Sequence, residues 1–396
     1  MLRYFIILIG FLILGFSGCN NETDSSVSSY QGRIISYIRT WELRKDNGKN
    51  IFWTAEDIDG EMLTDLNIAF AIIKNGDDLT IESMNWDDGF FNLFSEIQKL
   101  KEIYPFLRVN LSIGGWGADG FSDMAADGDL RSGFVDNVME WVKKHGFDGI
   151  DIDWEYPVDG ADGMIKSRPE DKTNFTLLMK ELKEALDALS NENGKTYTLS
   201  FAAAASSDYL NWIEPKKLSD IVDYVNLMTY DFYGEWSNTT GHHSNLYNSD
   251  IKPSAQSGDK AVRDFITAGF SPNQIVLGIP FFGKGWRGVN NKNNGLYQRF
   301  TAVYNYKDMG FDDIEKLIVS DNLKEYWDDS AKAPYLYNGD IWISYDNEQS
   351  VEIKTDYIKK KNLGGIMIWE YSHDFSKKLL TVIYQNIKKK TIVKKR

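Results

Sequence analysis

The chain is predicted to be an α/β protein, a (β/α)8 TIM barrel with a small α+β insertion between strands 7 and 8. Three observations lead there. Eight segments read as strands and alternate with stretches of helical spacing, the pattern of a parallel sheet covered by helices. One of them, 67–73, is a nearly continuous apolar run, as buried parallel strands require. In another, 147–157, Ile150, Ile152 and Trp154 alternate with Asp151, Asp153 and Glu155, a period of 2. Its apolar face demands cover, and its acidic face suits a barrel interior that opens upward into a reaction site.

In chain order, the strand candidates are 33–38, 67–73, 108–113, the acidic segment, 197–204, 222–228, 274–279 and 365–369. Helical spacing appears over 90–103, 130–145, 170–190, 258–268, 348–361 and 374–388. Phe134, Val138, Trp141 and Val142 mark one buried face, and Phe175, Leu178, Leu182, Leu186 and Leu189 another. The even spacing breaks over 282–342, too long for a loop and rich in Tyr, Trp and Phe without a helical period. That segment is expected to form the insertion and to raise one wall of the cleft.

Composition narrows the function. With 42% hydrophobic and 26% charged residues among 396, the chain has ample material for a core. A net charge of −14 argues against a nucleic-acid partner, which needs clustered Lys and Arg. The 12 Trp and 21 Tyr exceed what a core needs and suit a cleft in which rings stack on sugars. A single Cys allows no disulfide within the chain, and the four His show no metal spacing with it. His242 and His243 are adjacent in a polar loop and with His373 lack an evident third ligand, so neither metal nor cofactor is expected. The protein is expected to act as a monomer.

Both ends stand apart. Met1-Leu2-Arg3 is a short positive start, and 4–16 is an apolar run of signal-peptide length. Phe16-Ser17-Gly18-Cys19 resembles the lipobox of bacterial lipoproteins, so 1–18 is read as a signal peptide and Cys19 as the lipidated N-terminus. The Ser-rich segment 19–31 then serves as a flexible tether. On that reading the protein is exported and lipid-anchored to a bacterial membrane, facing the periplasm or the cell surface. The barrel occupies 32–388, and the basic tail 389–396 reads as a solvated end.

The chemistry gathers at strand ends, where such barrels carry their reacting groups. Alternate strand residues lie about 6.5–7 Å apart, so the acids must influence one another and at least one pKa should rise. Ser112-Ile113-Gly114-Gly115-Trp116 closes strand 3, and Met228-Thr229-Tyr230-Asp231 closes strand 6. Gly278 to Gly283, with Trp286-Arg287, follows strand 7, and Trp369 ends strand 8. Any one of these aromatics could be a core residue; together they point at one mouth.

Asp148, Asp151, Asp153 and Glu155 stand as D-x-x-D-x-D-x-E followed by Tyr156-Pro157, which resembles the signature of glycoside hydrolase family 18, the chitinases and their relatives. The strand 3 and strand 6 motifs resemble that family's S-x-G-G and M-x-Y-D, and the likeness spans most of the chain. It implies retaining hydrolysis of β-1,4-linked N-acetylglucosamine polymers, with the substrate's own 2-acetamido oxygen attacking to give an oxazolinium. Glu155, at the strand's end, is placed to protonate the leaving oxygen, whereas Asp153, one pleat deeper, is poorly placed to attack. The resemblance makes Asp153 the group that orients the acetamide, Asp151 its proton-sharing partner, and Tyr230 the holder of the acetamido oxygen. Asp148 is out of parity and is assigned structural support, and Tyr37 and Ser112 back Asp151 from below. Tyr37, Gly115, Trp116, Tyr156, Met228, Asp231, Tyr233, Trp286, Arg287 and Trp369 are the expected substrate contacts. Two alternatives stay open: an endo-β-N-acetylglucosaminidase acting on N-glycan cores, disfavoured by the insertion, and a non-catalytic chitin-binding lectin, disfavoured by Glu155.

Overall fold

The computed structural model describes residues 27–28, 30–47, 49–81, 92–388 and 391–392. Eight strands close into a parallel barrel: β1 (Arg33–Arg39), β2 (Asp65–Lys74), β3 (Arg108–Gly114), β4 (Gly149–Asp153), β5 (Thr198–Ala204), β6 (Tyr224–Met228), β7 (Ile275–Pro280) and β8 (Gly365–Trp369). Each pairs with its neighbours in sequence, and β8 pairs with β1 to complete the ring. Alternation along the strands sorts the two faces. Ile34, Ile38, Ile150 and Ile152 point outward into the main core beneath the helices. Tyr37, Ala69, Tyr224, Val276 and Met367 fill the interior. That interior is polar on one side: Asn110 Nδ2 donates to Asn67 Oδ1 at 3.0 Å, below the level of Asp151.

The covering helices form where apolar periodicity coincides with a cap. In Gly128–His145, the Asp127 side chain accepts from the N–H groups of Asp129 and Leu130, and Gly146 ends the helix in the left-handed region at φ 74°. The last helix is Lys378–Lys388 rather than 374–388: Asp374 ends a preceding 3₁₀ turn, Tyr371–Asp374, and its side chain accepts from the N–H groups of Lys378 and Leu380. The first described helix begins at Leu93, and its expected start at 90–91 lies outside the described residues. No full helix joins β1 to β2. That connection holds a hairpin (Arg44–Asp46 with Lys49–Ile51) and two 3₁₀ turns, since residues 40–64 lack a helical apolar period. Between β5 and β6 only the short helices Tyr209–Trp212 and Pro215–Ser219 intervene.

Between β7 and β8 the chain builds a five-stranded antiparallel sheet in the spatial order Ala302–Gly310, Phe282–Arg287, Trp342–Ser344, Ala333–Tyr337, Lys324–Asp328. Helix Phe311–Ser320 joins two of these strands. The aromatics without helical period are explained by this sheet, whose own core contains Trp286, Tyr335, Tyr337 and Trp342.

The long connection 229–257 is pinned beneath this sheet by a buried ion pair. Lys354 Nζ lies 2.8 and 2.6 Å from the two oxygens of Asp346, to which Ser244 and Ser350 also donate at 2.8 and 2.5 Å. Lys354 and Asp346 are 2% and 3% exposed, so neither charge has water to fall back on. Lys354→Met should therefore cost about 3–5 kcal/mol of stability by leaving Asp346 buried and uncompensated. Chemical denaturation should show the double variant K354M/D346N losing less than the single one.

Candidate active site

Strand pairing of β4 stops at Asp153, so Glu155 is not a strand residue as the alternation suggests. It follows in the loop and is joined to Tyr156 by a cis peptide bond. Trp154 still turns outward, with its ring 5.2 Å from Phe121 and 5.9 Å from Phe175. The glycines at the end of β3 allow β4 to come close. Gly114 has φ +122°, and a Cβ there would sit 2.1 Å from the Asp153 carbonyl oxygen. The Gly115 N–H donates to that carbonyl at 2.8 Å and holds the end of β3 against β4.

The acids take four different environments. Asp148 lies at the opposite end of β4 from the mouth, accepting from Lys101 Nζ at 2.6 Å and from the Val109 N–H at 2.9 Å. Asp151 is fully buried and accepts four side-chain hydrogen bonds. Tyr37 (2.6 Å) and Ser112 (2.8 Å) donate to Oδ2, and Ser200 (2.6 Å) and Asn226 (3.1 Å) to Oδ1. Burial pushes its pKa up, and these donors hold it back. Asp153 has no such cradle, and its Oδ1 is buried without a hydrogen-bond partner. Burial, then the charges of Glu155 and Asp151, push it well above the carboxylate range. Glu155, 9% exposed, is raised to about 7 by burial and by Asp231, with Tyr156 opposing. The expected proton-sharing bond from Asp151 to Asp153 is not made here. Asp151 spends both oxygens on its four donors, while Asp153 and Glu155 raise one another's affinity for a proton through burial and like charge.

Around these acids the mouth is aromatic and partly open. Trp116 is 57% exposed, and its ring meets Tyr156 edge-on at 6.2 Å. Half-buried Trp369 lies 5.5 Å from Tyr37 and stacks on Phe70 at 5.5 Å, and Phe70 stacks on Trp41 at 6.4 Å. The Tyr230 hydroxyl has only a weak contact with Met367 Sδ at 3.7 Å. Met228 packs beside it at the top of the barrel interior. Asp231, at φ 57°, lies 3.4 Å from Lys284 Nζ and 3.8 Å from His243 Nδ1. Burial pushes Asp231 up, but those two partners bring its carboxyl below the usual range.

A closed barrel with an aromatic mouth and a graded set of buried acids is the site of a glycosidase, and a model of Glycosyl hydrolases family 18 matches residues 33–374. The chain belongs to glycosyl hydrolase family 18. It is 39% identical over 352 residues to chitinase A1 of Niallia circulans, covering 83% of this chain and 50% of that one. It is 33% identical over 326 residues to a class V chitinase of Arabidopsis thaliana, covering 80% and 82% of the two chains. A family 18 N-acetylglucosaminidase from Paenibacillus barengoltzii superposes with a TM-score of 0.80 at 35% identity, over 90% of this chain and 100% of that one. The chain thus spans about half the length of chitinase A1 and most of the other two.

Within this family 18 chain, three of the expected substrate contacts are corrected by their surroundings. Tyr37 is 1% exposed with its hydroxyl given to Asp151, so it backs the acid and presents nothing to a ligand. Tyr233 and Trp286 are buried in the core of the inserted sheet. Arg287, at the end of the same strand, is exposed and lies over Tyr304, 5.3 Å from the ring centroid. Motif position placed Trp286 near the mouth but could not say which face of its antiparallel strand it would occupy. Missed altogether were Ser200 and Asn226, whose parity on β5 and β6 would have revealed them, and the ring row Trp41–Phe70. Trp236, 60% exposed with Lys284 Nζ 5.7 Å from its ring, was also missed, because loop exposure leaves no periodic trace. The histidines lie apart: His242 beside Asp328, His243 beside Asp231, His373 beside Glu370. Among the described residues no group of His, Cys, Asp or Glu could hold a metal ion.

The raised pKa of Glu155 has a thermodynamic signature. Its stabilising contribution is complete below the unfolded-state pKa and is lost as pH rises through about 7. Glu155→Gln removes that dependence. In urea denaturation the variant should match the wild type at pH ~4 and exceed it by about 2–3 kcal/mol at pH ~8.

Proposed function

We propose that this family 18 hydrolase cleaves β-1,4-linked N-acetylglucosamine polymers, chitin or its oligomers, with retention of anomeric configuration. The observation that carries the reading is Glu155, a carboxyl pushed up to about 7 at an aromatic mouth beside Asp153, which burial also raises. A group of that kind is protonated at neutral pH and can serve as general acid. The sugar's 2-acetamido oxygen attacks the anomeric carbon while Glu155 gives its proton to the leaving glycosidic oxygen, forming an oxazolinium. Water then opens that ring, returning its proton to the Glu155 carboxylate. Asp153 orients the acetamide N–H and offsets the positive charge that develops. Tyr230, whose hydroxyl has no strong partner in the barrel, holds the acetamido oxygen in line. Asp231, Trp116, Tyr156 and Trp369 contact the sugars. The inserted sheet beside the mouth favours a linear polymer over a branched N-glycan core.

The N-terminal segment supports export and anchoring through a lipid on Cys19, with the enzyme acting as a monomer. Cys19 and the residues before it lie outside the described residues.

Glu155→Gln should lose at least about a thousandfold in kcat while still binding oligomers, since general acid catalysis and the later base step both pass through it. With the wild type, kcat/KM should fall as pH rises above about 7, where the acid form is lost. An oligomer N-deacetylated at the reacting sugar should resist cleavage, as read by mass spectrometry of products. Normal cleavage of that oligomer would require a protein nucleophile and overturn the assisted route.

A further inference from the structure

A charged cluster beside the mouth takes no part in the chemistry above. Glu370 directly follows Trp369 at the end of β8 and is completely buried. It accepts from Arg39 Nε at 2.9 Å, from the second Arg39 nitrogen at 2.5 Å, and from the N–H and hydroxyl of Ser372. Burial pushes its pKa up, but His373, Arg39 and Ser372 keep it below the usual range, so it is an anion. Arg39 is the last residue of β1, and its carbonyl accepts from Trp53 Nε1 at 2.8 Å. Its guanidinium sits 5.5 Å from the ring centre of Trp41 and 2.7 Å from His373 Nε2. His373 in turn meets Phe282 of the inserted sheet, with ring centres 6.2 Å apart.

A fully buried carboxylate is costly unless it is paired and hydrogen-bonded, and Glu370 is both. What Glu370 holds is a planar cation that also meets His373 and the ring at the outer end of the row Trp41–Phe70–Trp369. Trp41 is 36% exposed and belongs to a loop, so β-sheet pairing does not orient it. The pair thus ties the inner end of the row, through the backbone of Trp369–Glu370, to its outer end, through the face of Arg39.

We infer that Glu370 and Arg39 are positioning residues that keep this aromatic row in line, and so set how tightly long oligomers are held relative to short ones. The inference rests on the reading of the site as one for N-acetylglucosamine oligomers. A short substrate needs only the inner ring, whereas a long one must find the outer ring in register.

The test compares Glu370→Gln and Arg39→Lys with the wild type, measuring kcat and KM on an N-acetylglucosamine hexamer and on a chromogenic dimer. Arg39→Lys keeps the charge but loses the fork and the planar face. The hexamer KM should rise about tenfold, the size of a lost cation–π contact with its stacking, while kcat and the dimer KM stay within about twofold. Equal rises in KM at both lengths, or no rise on the hexamer in a folded variant, would overturn the positioning role. Should Glu370→Gln fail to fold by circular dichroism, Arg39→Lys decides. A wild-type enzyme that cleaved neither length would instead remove the substrate reading, and the inference with it.

Discussion

The structure depends on solving one electrostatic problem: β4 carries carboxylates into the middle of a closed barrel, where water cannot screen them. The solution is unequal. Asp151 is surrounded by donors from four other strands, with Tyr37 from β1, Ser112 from β3, Ser200 from β5 and Asn226 from β6. One carboxylate therefore ties together the inward parity of five strands, and a slip of one residue in any of them would take a donor away. Asp153, one pleat higher, has no such ring of donors, and burial together with the charges of Glu155 and Asp151 raises its affinity for a proton. Identical side chains are thus driven into different states by position alone, which is how a barrel can hold a proton donor at neutral pH.

The upper rim poses the opposite problem, since loops have no ladder to fix them. Here the fold uses buried charge in pairs. Lys354 and Asp346 fasten the connection that carries His243 and Ser244, and His243 in turn faces Asp231. Lys284, from the first inserted strand, approaches Asp231 from the other side and lies over Phe282. The insertion is therefore part of the site's electrostatics as well as its wall. It supplies the cation that keeps Asp231 ionised, and Asp231 is one of the groups that raises Glu155.

Which parts could be read from the sequence follows from what leaves a periodic trace. The barrel was legible because each strand has an apolar outer face that must be covered, and Ile150, Ile152 and Trp154 announce that face without any fold in view. The acids were legible for the same reason, from the opposite parity. Glu155 continues that parity in the sequence, yet the strand ends before it and a loop carries it. The aromatic assignments failed where the chain leaves the barrel. Trp286 and Tyr233 belong to a second core that only an antiparallel sheet creates, and nothing within either residue's own motif discloses that sheet. Trp41 and Trp236 escaped for the converse reason: an exposed ring on a loop looks in sequence like any other aromatic.

Those exposed rings complete the electrostatic argument. Raising the pKa of Glu155 requires a poorly hydrated mouth, yet a mouth sealed by the protein would admit no polymer. Trp116, Trp236 and Trp41 line it with apolar faces that water wets badly, at the cost of leaving that area uncovered in the free enzyme. A partner with flat apolar faces and a hydroxylated edge covers such rings without burying unpaired polar groups, and a pyranose has that shape. Ligand binding over these rings closes the mouth to solvent and deepens the desolvation that raises Glu155. The features that admit the sugar and those that keep the proton on the acid are therefore the same surface, which is why the aromatic mouth and the acidic strand have to be built together.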